Sequence, residues 1–194
     1  MRLDTIFLNA FLLTAFALSG DVLFCEQKKP QSTEPPEMLV TEQGFLAINT
    51  PKGWVRSKGP GLAYFIRKGD NAVSPPVWIY ISSAPIGPNQ EAKDAIAYIQ
   101  SDIADFKARF KAGTVQEEEP LTLPKMNTHA PAYTFRSGEK HNTIEQVAYI
   151  GEANRVLTLV LSAKETAPFE RALPLFRDFV KSYGGSIVLE PNSK

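Results

Sequence analysis

The chain has 194 residues, 43% of them apolar and 22% charged, which suits one ordinary globular domain with extensions. Lysine and arginine total 21 and so do aspartate and glutamate, for a net charge of zero and no long basic run. That balance excludes the electrostatic footprint of a nucleic-acid binder and strong attraction to anionic lipid. Cys25 is the single cysteine, so no internal disulfide can form.

Arg2 precedes an apolar stretch from Ile6 to Leu18, broken by Asn9 and Thr14. That length suits a signal-peptide core and is short for a bilayer interior of about 30 Å. Ala17-Leu18-Ser19 supplies small residues for cleavage, while Asp4 dilutes the positive start. Residues 1–24 are therefore expected to be a signal peptide, and the protein to be exported, periplasmic or membrane-anchored at the cell envelope. Cys25 is a candidate lipidation site, although Phe24 before it is bulkier than the small residue a lipoprotein peptidase takes. The alternative is an unmodified cysteine near, or removed with, a cleaved N-terminus. Residues 25–39 are polar and proline-rich and read as a flexible tether, because so few apolar groups cannot offset the entropy of ordering.

A single domain over 40–190 follows. Gly44–Asn49 alternates as a strand, and Pro51-Lys52-Gly53-Trp54 turns the chain. Strands are expected at 62–67 and 77–81. Asn89 is the N-cap expected for an amphipathic helix of about twenty residues, its apolar stripe running through Ile96, Ile99, Ile103, Phe106 and Phe110, with Asp102 off the stripe. Gly113 stops it. Further strands are expected near 114–123, 131–137, 143–151 and 155–162, with hairpin turns at Ser137–Lys140 and Gly151–Asn154. Val156–Leu161 is almost wholly apolar, as in a central strand covered on both faces. A last helix spans about 167–183, where Pro174 either kinks the helix or marks its start, and a short edge strand follows Gly184-Gly185. Hairpins combined with separate helices make the fold class α+β.

Three segments in order carry a resemblance: Phe45–Trp54, Pro131–Phe135, and Arg155–Ala163 followed by Phe169 and Phe176–Tyr183. Together they resemble the Mog1/PsbP-like superfamily over residues 40–185, with Ala130 standing where that pattern often has glycine. The resemblance implies an antiparallel β-sheet sandwiched between helices (α/β/α). Relatives of that fold bind a small GTPase, sit on the lumenal face of photosystem II, or act as envelope lipoproteins and adaptor chaperones. It thus implies a non-catalytic protein-binding or adaptor module rather than an enzyme.

The residues themselves agree with that expectation. Gly-rich phosphate loops, Cys-x-x-Cys pairs and Gly-x-Ser-x-Gly elbows are missing from the sequence. Ser137-Gly138-Glu139-Lys140 matches a Ser-x-x-Lys string, but on a turn instead of a helix start. Glu117-Glu118-Glu119 reads as a charged edge strand. His129 and His141 could face each other across a hairpin and suggest the alternative, a small-ligand or metal-binding envelope protein; two exposed loop-end histidines are the simpler reading. The remaining binding candidates are Arg136 and Trp54. No catalytic residue, cofactor or metal site is expected. The expected partner is a protein of the envelope, with membrane attachment only through an N-terminal lipid and no nucleic acid.

Overall fold

The computed structural model describes residues 37–138 and 142–188. In chain order its elements are β1 (Met38–Thr41), β2 (Gly44–Ala47), β3 (Trp54–Ser57), β4 (Ala63–Arg67), β5 (Val77–Pro85), α1 (Ala95–Arg109), β6 (Thr114–Leu123), β7 (Thr128–Arg136), β8 (Ile144–Gly151), β9 (Arg155–Ala163), α2 (Thr166–Lys181) and β10 (Ser186–Val188). Seven strands form one sheet in the order β3-β4-β5-β9-β8-β7-β6, and β1, β2 and β10 form a second, with β2 between the other two. Every strand pairing is antiparallel, so the class is α+β.

The central position of β9 follows from its composition. All nine of its residues are buried, as expected of a strand covered on both faces. Its two faces belong to separate apolar clusters. Leu157, Leu159 and Leu161 pack with Phe169, Ala172, Phe176 and Phe179 of α2. Val156 and Val160 pack with Ile99 and Phe106 of α1, together with Phe135, Val147 and Tyr149. The alternation of side chains along a strand produces this division. Each fully buried leucine contributes about 1.5–3 kcal/mol, so β9 is a main anchor of the core.

At the outer edge, β6 pairs only with β7 and is irregular between Glu118 and Leu121. Glu119 and Pro120 there oppose the single residue Pro131, and Pro120 lies in the bulge, where a missing donor is tolerated. Glu118 does more than guard the edge: it accepts a hydrogen bond from Thr134 Oγ1 at 2.8 Å and faces Arg177 at 3.9 Å.

Four expectations need correction. The chain is already a strand at Met38, two residues inside the expected tether, because Met38–Thr41 has β2 to pair with. Trp54–Ser57 is a strand as well as the end of a turn, since β4 lies alongside to complete its hydrogen bonds. Helix α1 starts at Ala95, not near Asn89, and is 15 residues long: Asp94 caps it by accepting the Ala97 N–H at 2.8 Å, while 87–94 is held in turns by Gln90 N–Gly87 O and Gly87 N–Ala92 O bonds. Finally, Ile96 is 68% exposed. The buried face is centred on Ile99 and Phe106 and also takes in Ala95 and Tyr98, and the first turn of α1 leaves Ile96 at its rim. Pro174 lies inside α2 without ending it. Its side is exposed to water, which can satisfy the carbonyl that loses its intrahelical donor.

Candidate ligand-binding cleft

Helix α1 does not seal the sheet face beneath it. Its C-terminal half and strands β5, β7, β8 and β9 enclose a cleft of about 400 Å³. The floor is apolar, formed by Val147, Val160 and Phe135, and Phe106 and Phe110 of α1 close one side. Polar groups enter from three directions. Asp102 and Arg109 come from α1, Glu145 from β8, and Thr158 from β9, with Tyr80 and Tyr98 at the walls.

Strand parity explains which side chains arrive here. On β8, Glu145 shares a face with Val147 and Tyr149; on β9, Thr158 and Ser162 share a face with Val156 and Val160. Polar residues therefore occupy inward positions of an otherwise apolar surface. Asp102, expected off the helix stripe, instead turns toward the sheet and accepts a hydrogen bond from the Tyr149 hydroxyl through Oδ2. The Tyr149 ring is buried and packs edge-on against Tyr98 and Tyr133, with centroids 6.2 and 6.0 Å away. Burial, reinforced by the charge of Asp102, holds the Tyr149 phenol protonated far above its ordinary range, so it remains a donor to Asp102.

The electrostatics of the cleft centre on two carboxylates. Burial raises the Glu145 carboxyl above its ordinary value; the Ser162 hydroxyl opposes the shift, the Asp102 charge adds to it, and Arg109 opposes it. Burial also raises Tyr80, helped by Glu145 and Asp102, and raises Tyr98 despite the nearby Thr158 hydroxyl. Thr158 Oγ1 and Ser162 Oγ are themselves buried and have no hydrogen-bond partner of normal geometry, although they lie near Tyr98 and Glu145. Arg109 is the cation of the lining. Its guanidinium lies 5.9 Å over the Phe110 ring and its Nε points to the Asp105 carbonyl at 3.4 Å.

No protein-family model and no curated protein matches this chain. Among solved structures it is similar to the solution structure of cyanobacterial PsbP (CyanoP) from Synechocystis sp. PCC 6803. The TM-score is 0.47 and the identity 12%, over 84% of this chain and 99% of that one.

Of the candidate binding residues named from the sequence, His129, Arg136 and Trp54 do not line the cleft. His129 is exposed on β7 opposite Thr122. It stands at the far end of that strand from the β7–β8 turn, which Ser137 and Thr143 close with mutual hydrogen bonds. Arg136 is exposed at the end of β7. Trp54 is buried in the core, with the Arg67 guanidinium 5.8 Å over its ring. His141 and Cys25 lie outside the described residues, as does the expected signal peptide. Among the described residues, no three His, Cys, Asp or Glu side chains are grouped to hold a metal ion.

Proposed function

We propose that this chain is a non-catalytic binding protein, exported to the cell envelope, that holds a small ligand in the cleft beneath α1. The observation that carries this reading is the cleft itself. An opening of about 400 Å³ in which aromatic side chains and several polar groups converge is in the size range of a small-molecule site. We take the two helices to cover opposite faces of the sheet, as in an α/β/α sandwich, with α1 forming the roof of the site. Export is supported by the apolar run Ile6–Leu18 and the small residues at Ala17-Leu18-Ser19; a lipid on Cys25 would serve as the anchor.

Ligand-observed NMR with a fragment library tests the binding reading. Fragments are expected to bind the wild type and to be lost in Ser82→Trp, which adds an indole to the lining of the cleft. A library without hits, or hits indifferent to Ser82→Trp, would overturn it. Mass spectrometry of the protein from its native host tests export, and an intact Met1 would refute it.

A second reading, binding of a protein partner, is favoured by the outer face of the small sheet. Val40 and Ile187 flank Phe45 across three strands and are 57% and 58% exposed. Met38 on the same face is 47% exposed. An apolar row of this kind on a soluble surface is a contact site in waiting. Recovery of one partner from envelope extracts by the wild type, and its loss with Val40→Asp, is the expected result; equal recovery by both would remove this reading.

A further inference from the structure

Taking the cleft as a ligand site, we infer that it selects a small organic cation: a protonated amine carried on an apolar or aromatic body. Three features of the lining point the same way. The first is charge. Asp102 and Glu145 face the same space, with Arg109 as the opposing cation. Arg109 sits at the exposed rim, already stacked on Phe110 and turned toward the Asp105 carbonyl. The interior thus keeps an excess of negative charge that a monovalent cation would neutralise.

The second feature is unused acceptor capacity. Tyr149 occupies Oδ2 of Asp102, which leaves Oδ1 without a protein donor among the described residues. Thr158 is 6% exposed, lines the cleft, and its Oγ1 lacks a partner of normal geometry. An ammonium group has three N–H donors and no acceptor. It can give two of them to Asp102 and Thr158, which no carboxylate or phosphate ligand can do, while Glu145, opposite Ser162 and four residues along β9 from Thr158, adds its charge from the other end of the cleft. An anion would meet two like charges, and a neutral body would leave their mutual repulsion in place.

The third feature is the wall. Tyr80, Tyr98, Phe106, Phe110 and Phe135 present rings around the two carboxylates. Aromatic rings attract cations through their quadrupoles and also shelter an apolar body. Carboxylates set among rings distinguish this cleft from an anion site, where backbone N–H groups and arginines converge.

Four probes sharing one phenyl body separate the alternatives: phenethylamine, phenylalanine, phenylacetate and 2-phenylethanol. Each is titrated into the full-length protein and followed by amide shifts in a ¹H–¹⁵N spectrum. Phenethylamine should shift the amides around Asp102, Glu145 and Thr158, and bind at least about tenfold more tightly than phenylacetate or the alcohol, the scale of one charge-assisted hydrogen bond. Glu145→Gln and Asp102→Asn, both close to isosteric, should each weaken phenethylamine by about tenfold and leave the alcohol unchanged. If the alcohol or phenylacetate binds the cleft as tightly as the amine, selection for a cation is wrong while the ligand reading survives. Tighter binding of phenylalanine than of phenethylamine would assign a carboxylate to Arg109 and overturn it in favour of a zwitterion. If neither these probes nor any library fragment shifts a cleft amide, both readings fall.

Discussion

Tyr183 donates its phenolic hydrogen to Oε1 of Glu152, and so carries the end of α2 onto the turn between β8 and β9. Ser186 of β10 donates to the same carboxylate, and Arg155 grips Oε2 through Nε at 2.7 Å. Backbone bonds from Gly184 N to Ala47 O and from Ala47 N to Gly185 O then tie this region to β2. One carboxylate thereby joins the two sheets. Burial alone would raise its pKa; the hydrogen bonds from Ser186, Tyr183 and Arg155 and the charge of Arg155 outweigh that and hold it below its ordinary value of 4.5.

Glu152→Ala should be among the most damaging single changes. It would strand Arg155, which is 7% exposed, and removal of one partner of a buried pair costs about 3–5 kcal/mol. Tyr183→Phe deletes one bond to a charged acceptor and should cost about 1.5–3 kcal/mol. Because the folded state depresses this pKa, the stabilisation is complete above the ordinary value and is lost as pH falls through the folded one. Urea denaturation from pH 7 down to 2 should show the wild type losing this contribution on acidification, while Glu152→Ala shows no such loss. Parallel pH profiles would contradict the assignment.

Glu145 should behave in the opposite sense. Its folded pKa is raised, so the folded state holds the proton more tightly and stability declines as pH rises from the ordinary value through the folded one. Glu145→Gln should therefore be more stable than the wild type at neutral pH, and the two should converge below about pH 4.5, the ordinary glutamate value. Thermal melts across that range check it; a gap that stays constant with pH would show that Glu145 is not strained by burial.

Two glycines with nearly the same positive φ should differ in their tolerance of alanine. Gly53 has φ +80° and nothing within 4 Å of an added Cβ. Gly61 has φ +78°, but a Cβ there would lie 2.2 Å from the Ile81 carbonyl oxygen, which the Leu62 N–H contacts at 2.7 Å. Gly53→Ala should cost about 1–2 kcal/mol for the left-handed backbone. Gly61→Ala should cost a further 1–3 kcal/mol, roughly the scale of overpacking. Equal losses by chemical denaturation would place the strain elsewhere.

The position of the helix face can be measured directly. Ile99 is 8% exposed within the α1 cluster and Ile96 is 68% exposed. Ile99→Ala should cost about 2–5 kcal/mol and Ile96→Ala less than about 0.5 kcal/mol. A large loss at Ile96 would restore the stripe suggested by spacing alone.

Much of the scaffold was legible in the residues. The apolar run Val156–Leu161 announced a strand covered on both sides, and β9 is the middle strand of the seven. Glycine-bearing turns after β7 and β8 announced hairpins, and both pairings are present. The failures were at ends. The N-cap of α1 moved from Asn89 to Asp94 because either residue can cap a helix, and only the turn bonds over 87–92 decide between them. Strands β1 and β3 are four residues each, too short to show a clear period, and it is pairing with the next strand in the chain that completes each ladder.

By itself, then, the sequence determined the kind of each long element, its hairpin neighbours and the α+β class, because periodicity and turn chemistry are local properties of the chain. Tertiary structure decided the cleft. Asp102 meets Tyr149 across 47 positions, and Glu145 from the same strand as Tyr149 and Thr158 from the neighbouring β9 line the same space. Their convergence depends on how α1 seats on the sheet, which Ile99 and Phe106 set by packing against Phe135, Val147 and Val160. The packing of α2 on the opposite cluster decided Tyr183 and Glu152: both are polar residues that any local reading leaves in water, and the fold brings them together where water is scarce.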